Sequence, residues 1–324
     1  MPILASGVIR ESGVFVINLA WGPDQGAGMP AGICKLCKME AELKLSHFIP
    51  KFVGKWVKET SATGYIRFNH SINKRVQDIV KDYWLCDACE QLFSSWEREF
   101  ANRVFYPFLD EKKSQAKYGA WLPKFCASIT WRTLTYIRGQ NSARSEKTNL
   151  VLDEAESALA SYLLGHTDTL GKYEQHLYPL EEMSETSVKG APPNLNRYFL
   201  RTMQMDLLES ESSIMIYTKL PGFMLLGLTG HKESNRMRSS RIALRDGTLS
   251  PRTYWWPTGF AEYIFEKVRG ISSTYSSMDK AQMDKITRSI LDNPEKFRNS
   301  GTFKAFKHDL AMFGSEAFSK SRDD

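Results

Sequence analysis

Three short stretches decide how this chain reads. They are Cys34-Lys35-Leu36-Cys37, then Leu45-Ser46-His47-Phe48-Ile49-Pro50-Lys51, then Cys86-Asp87-Ala88-Cys89-Glu90. Four of the five cysteines fall into two C-x-x-C pairs. A two-residue spacing lets both thiolates of a pair turn toward one ion, and two such pairs make a tetrahedral four-sulfur site of the kind Zn²⁺ fills in a structural role. Cys34, Cys37, Cys86 and Cys89 are therefore the expected metal ligands. A disulfide framework would need an oxidising compartment, to which nothing in the sequence points, and a thioredoxin-like centre would need only one pair. Cys126, between Phe125 and Ala127, reads as a small buried thiol.

Working outward, Leu92, Phe93, Trp96, Phe100, Val104 and Phe105 recur at helical spacing, so a helix is expected to open at or just after Cys89. The order is thus a knuckle, a His-x-x-Pro segment, a long insertion, a second knuckle and a helix. Over residues 33–105 that order resembles the zinc-stapled branch of the HNH (His-Me finger, ββα-metal) endonucleases, here in a degenerate form.

The resemblance implies a ββα module held in shape by structural Zn²⁺, with a separate Mg²⁺ or Mn²⁺ for catalysis. It places His47 where the family keeps its general base, a role that suits an imidazole titrating near neutrality. The family's metal-binding carboxylate before that histidine is replaced by Ser46. The Asn or His that follows the last cysteine is replaced by Glu90, a hard oxygen donor. The family's middle Asn has no counterpart: Asn69 and Asn73 lie well upstream of Cys86, with Asp78 and Asp82 nearer. Such nucleases serve microbial defence, mobile elements or restriction, and nucleic acid is the implied partner.

A second reading rests on the same residues. His47 would pack over the knuckle, Glu90 would be a helix-N-terminal carboxylate favoured by the macrodipole, and Ser46 would cap a short helix at Pro50. The protein would then be a non-catalytic zinc module, acting as a nucleic-acid-binding or protein-interaction scaffold. Glu97 lies two helical turns beyond Glu90, about 10.5 Å of rise. It is expected, with Arg98, to make surface pairs.

Charge is uneven. Residues 1–150 carry 21 Lys+Arg against 14 Asp+Glu, and the remainder 22 against 23, so the net +6 comes from the half that holds the motifs. That suits a phosphate-rich partner. Lys51 and Lys55, on an expected basic helix over 51–58 beside His47, are candidate phosphate contacts. So are Arg238 and Arg241, in a Ser- and Asn-rich loop near the aromatic run Tyr254-Trp255-Trp256, which otherwise reads as core or subdomain interface.

The expected fold class is α+β: the zinc-stapled module over residues 1–110, a helical region over 111–180, a loop or linker over 181–196, and a small antiparallel sheet with helices over 197–324. Strands are expected at 14–20, 65–68, 213–218, 222–229, 239–244 and 252–256, with a hairpin turn at Pro221-Gly222. Helices are expected over 150–164, 258–268, 279–291 and 303–313, and Ser128 as a cap. No P-loop, H-E-x-x-H or G-x-S-x-G motif is present. No apolar run approaches the length of a membrane span, and no signal-peptide pattern opens the chain, so a cytoplasmic protein is expected. A protein partner or a second copy of the chain stays open.

Overall fold

The computed structural model describes residues 10–11, 30–140, 144–210 and 213–318. The strand expected at 14–20 lies outside them. The architecture is α+β, with small antiparallel sheets among helices.

The first layer is a three-stranded antiparallel sheet, β2 (Ala31–Ile33), β3 (Glu40–His47) and β4 (Lys81–Cys86), in that spatial order. Helix α1 (Lys51–Glu59) leaves β3, and α2 (Asp87–Phe100) follows β4 without a linker. A bulge opposite Lys44 and Leu45 leaves Trp84 of β4 as the extra residue without a cross-strand partner. Leu43 and Ser46 of β3 are both buried, and Ser46 meets Glu90 of α2. A π-helical turn, Ala101–Phe105, then carries the chain into α3 (Tyr106–Leu109).

The second sheet has five antiparallel strands in the order β1 (Arg10–Glu11), β7 (Gln204–Ser210), β8 (Ser213–Leu220), β9 (Phe223–Leu228) and β6 (Gln175–Pro179). The expected hairpin joins β8 to β9 through Pro221-Gly222, and Gly222 takes φ +69°, which suits the second turn position after proline. β5 (Ala116–Tyr118) pairs with β10 (Gly247–Leu249).

Between the two sheets runs α4 (Trp121–Arg138), buried along almost its whole length, with α5 (Glu146–Leu163) beside it. Its Trp131 shares one cluster with Phe48, Trp84 and Phe93 of the first layer and with Ile214 and Ile216 of β8. Truncating a buried tryptophan such as this to alanine costs about 3–5 kcal/mol. Close approach to β9 depends on Gly227: a Cβ there would fall 2.2 Å from the Thr130 methyl. On the far face of the sheet, Met215 and Tyr217 meet α6 (Leu195–Arg201) and α7 (Phe260–Ser276).

The chain ends in α8 (Lys280–Asp292), α9 (Pro294–Asn299) and α10 (Gly301–Phe313). Ser145, Asp279 and Ser300 cap α5, α8 and α10 by accepting from the amides of Thr148, Gln282 and Phe303. Among the described residues no helix is long and apolar enough to cross a membrane.

Several local expectations change. Residues 65–68 and 239–244 contribute single bridges, Ile66 to Val76 and Arg241 to His176, and 252–256 forms no strand. In the 239–244 segment pairing is confined to the Arg241 bridge, with Leu177 N–H donating to the Ser240 carbonyl and Ile242 N–H to the Gln175 carbonyl. Ser128 is no cap: it sits inside α4 and donates to the Phe125 carbonyl. Nor does Ser46 cap α1, whose cap position is Pro50.

Candidate metal centre and adjoining polar site

The sulfurs of Cys34, Cys37, Cys86 and Cys89 all lie within 4.8 Å of one another. Cys34 and Cys37 sit in the turn between β2 and β3, Cys86 ends β4 and Cys89 lies in the first turn of α2. The turn closes with Lys38 N–H donating to the Cys34 carbonyl, and Lys38 takes φ +62° to do so. A tetrahedral ion with bonds of about 2.3 Å spaces its sulfurs about 3.8 Å apart; Cys37 Sγ and Cys86 Sγ are 3.8 Å apart. Burial raises the Cys34 thiol, but the backbone amides of Cys86, Cys37 and Leu36 point at its sulfur and hold it at about 7. Amides aimed at a sulfur favour the thiolate that a metal needs. The cluster fits a zinc ion.

His47 closes β3, and its Nε2 lies 3.1 and 3.2 Å from the two oxygens of Asp78. Asp78 also accepts from Lys81 Nζ at 2.8 Å and from its neighbour's amide, Ile79 N. Burial would raise this carboxyl, but Lys81, His47 and the Ile79 amide together hold it near 2. A carboxylate can only accept, so Nε2 carries the imidazole proton and Nδ1 keeps a lone pair. Burial, opposed by Asp78 and reinforced by Lys81 and Lys51, lowers the pKa of His47. Burial thus favours the neutral ring.

Ser46, one residue earlier and 1% exposed, faces the other way. Its hydroxyl donates to Glu90 Oε2 at 2.6 Å. No hydrogen bond joins His47 to Glu90 among the described residues. Glu97 corrects the expectation of a surface pair. It meets the buried Arg132 of α4 at 2.7 Å, and Arg132 also donates to the His47 carbonyl at 3.1 Å. The guanidinium lies over the Phe93 ring, 5.1 Å from its centre. Burial raises the Glu97 carboxyl, Arg132 pulls it down, and the Glu90 charge raises it further. Glu90 and Glu97 therefore share one electrostatic neighbourhood on α2.

Glu90 and Ser46 offer two hard oxygen donors. Mg²⁺ is commonly held through one or two carboxylates and completed by water and substrate phosphates, so this donor set suits Mg²⁺ or Mn²⁺ only as a partial shell. Among the described residues the four cysteines form the one group of three or more His, Cys, Asp or Glu side chains placed to hold an ion.

Lys51 opens α1 and is one of the charges felt by His47. Lys55 is exposed and pairs with Glu59 at 3.8 Å. Arg241 is engaged by Glu174 at 3.1 Å, and Arg238 by the side chain of Asn235 at 3.2 Å. Tyr254 and Trp256 pack on Tyr178 and Phe260, as a subdomain interface would. Sequence reasoning left two partners unassigned. Asp78 stood only as a residue near the family's missing Asn, and Arg132 was not singled out at all. No protein-family model, no curated protein and no solved structure matches the chain.

Proposed function

We propose that the zinc-stapled module is the catalytic centre of an HNH-like, divalent-metal-dependent endonuclease acting on nucleic-acid phosphodiesters. One observation carries the reading. A histidine at the end of the strand before the insertion is held through Nε2 by an ionised carboxylate, which leaves Nδ1 as a base. In this reading His47 takes a proton from water at Nδ1. Asp78 fixes the tautomer and steadies the imidazolium that results. Arg132, bound to the His47 carbonyl, keeps the strand end in place. Glu90 and Ser46 would hold Mg²⁺ or Mn²⁺, and such an ion supplies positive charge to the phosphate and leaving oxygen. Activity rises with pH through the lowered pKa of His47 and is level above it.

The scaffold reading is favoured by a different observation: Ser46 already occupies an oxygen of Glu90, and among the described residues Glu90 belongs to no group of three or more His, Cys, Asp or Glu side chains placed to hold an ion. A cleavage assay separates the two. Plasmid, linear DNA and RNA are incubated with the zinc-loaded protein in Mg²⁺ or Mn²⁺, beside His47→Ala, Asp78→Asn and Glu90→Gln. The nuclease reading expects cleavage that falls by roughly 10²–10⁴-fold in His47→Ala, the usual weight of a general base. Zinc content should stay as in the wild type, and each variant should still melt cooperatively. Wild-type protein that cleaves none of the three substrates leaves the scaffold.

A further inference from the structure

The insertion between α1 and β4 contains an arrangement the zinc module does not require. Ile66 and Val76 form an antiparallel bridge, their amides and carbonyls exchanging hydrogen bonds at 3.0 and 2.9 Å. Antiparallel register then sets Arg67 directly across from Arg75. Ile66 and Val76 face the core, so both arginines rise from the opposite side of the ribbon. Like charges placed opposite each other on a ribbon are destabilising.

Neither guanidinium has a carboxylate partner among the described ion pairs. Arg67 donates to the Ile72 carbonyl at 2.6 Å and to Gln282 of α8 at 3.1 Å. Asp279 supplies compensating negative charge to Arg67 at longer range. Arg75 is worse provided: its Nε and Nη2 are buried and have no hydrogen-bond partner. Those two nitrogens form the side edge of the fork, the edge that takes two oxygens of one phosphate. The Tyr65 ring, itself 37% exposed, lies over the group with its centre 5.1 Å from the guanidinium carbon.

The ribbon's tip adds to the pattern. A shallow cavity of about 470 Å³ lies there, lined by His70, Asn73 and Lys74 and by Ser277 at the end of α7, with no acidic side chain in its wall. The His70 ring stacks on Phe68 with centroids 5.5 Å apart. Three residues past Arg75 the same strand of chain delivers Asp78 to His47.

We propose that this ribbon is a phosphate-gripping arm. In it, the opposed Arg67 and Arg75, the latter with an unfilled guanidinium edge, bind the backbone of a nucleic acid on the same insertion that brings Asp78 to His47. The choice of nucleic acid as the polyanion rests on the endonuclease reading; the anion site itself rests on the two arginines. Two like charges set opposite each other with no directly paired carboxylate weaken the free protein, and a backbone phosphate bridging them removes that penalty.

The test uses the full zinc-loaded chain without added Mg²⁺ or Mn²⁺, and a fluorescent DNA duplex read by anisotropy across a salt series. Wild type, Arg75→Gln, Arg67→Gln with Arg75→Gln, and His47→Ala are compared. Losing one phosphate contact should weaken binding about eightfold near 0.1 M salt and flatten the log–log salt slope by about 0.9. Arg75→Gln should also melt no lower than the wild type without DNA, because a repulsion has been relieved. A structural arginine would lower the melting temperature and leave the slope alone, and that result overturns the proposal. So does an unchanged affinity and slope in the double variant, or a wild type that binds no DNA. The two readings fail separately. Binding that is lost in Arg75→Gln, in a protein that cleaves nothing, keeps the arm and removes the nuclease. Wild-type cleavage with unchanged KM in Arg75→Gln removes the arm and keeps the nuclease.

Discussion

The ion pair between Arg132 and Glu97 allows a prediction worked from distance and burial. At 2.7 Å and an effective dielectric of about 20, their attraction is ~6 kcal/mol before any desolvation is subtracted. Arg132 is 4% exposed, and Glu97 sits against it with only a fifth of its side chain in water. Breaking a buried pair from one side leaves the other charge stranded, which costs about 3–5 kcal/mol. Arg132→Met should lose that much, including its bond to the His47 carbonyl, and Glu97→Gln a similar amount through the abandoned guanidinium. The double replacement, Arg132→Met with Glu97→Leu, removes both charges at nearly constant volume and should cost much less than the two single losses together. Urea denaturation of the zinc-loaded protein at neutral pH would give all four free energies, with Glu97→Leu as the matching single variant. A coupling of at least ~2 kcal/mol is expected. If the single losses sum to the double within about 0.5 kcal/mol, the additivity shown by independent sites, the pair is not what joins α4 to the module.

Two further outcomes follow from side-chain chemistry. Thiol reagents should leave the zinc-loaded chain unlabelled and modify four cysteines once a chelator removes the ion. Cys126, whose thiol burial raises and which is 1% exposed, should react only on unfolding; a fifth thiol labelled with the fold intact would contradict its placement. Asp78 is held near 2, below its ordinary 3.8. A carboxyl with a lowered folded-state pKa adds stability above its unfolded value, and that stability is lost as the pH drops through the folded one. Asp78→Asn should therefore flatten the fall in melting temperature between about pH 4 and pH 2; parallel curves for the two proteins would count against the clamp.

Much of this molecule was readable where the signal is local. Two C-x-x-C spacings gave the sulfur cluster, helical periodicity gave the start of α2, and Pro221-Gly222 gave the hairpin. β6 escaped because its first two residues, Gln175 and His176, are polar yet fully buried, so neither alternation nor an apolar run marks it. Its histidine is accommodated by Ser240 at 3.0 Å, a partner 64 residues away. The site divides in the same manner. Ser46, His47 and Glu90 are visible by their nearness to the cysteines. Asp78 and Arg132 reach His47 across 31 and 85 residues, and no periodicity encodes such a distance. The burial of Glu97 was misjudged for the same reason, since its partner belongs to a helix whose position the α2 pattern does not contain.

The two halves of the polar site also hang from different anchors, and their meeting point is a single peptide unit of β3. Glu90 directly follows the ligand Cys89, so the ion that fixes Cys86 and Cys89 fixes the phase of α2, and with it the carboxylate that meets Ser46. His47 is held instead by Asp78 from the insertion and, through its carbonyl, by Arg132 from α4. Strand alternation makes this division possible, because Ser46 turns inward toward α2 while the next residue faces the insertion. Metal loss should then free Glu90 and Ser46 first and leave the histidine clamp in place, since no cysteine touches it. A zinc-stripped chain that keeps the lowered Asp78 titration but loses the Ser46 to Glu90 bond is the state this connectivity implies. The staple thus sets the geometry of the Glu90 carboxylate, while the His47 ring is set by the insertion and by the packing of α4.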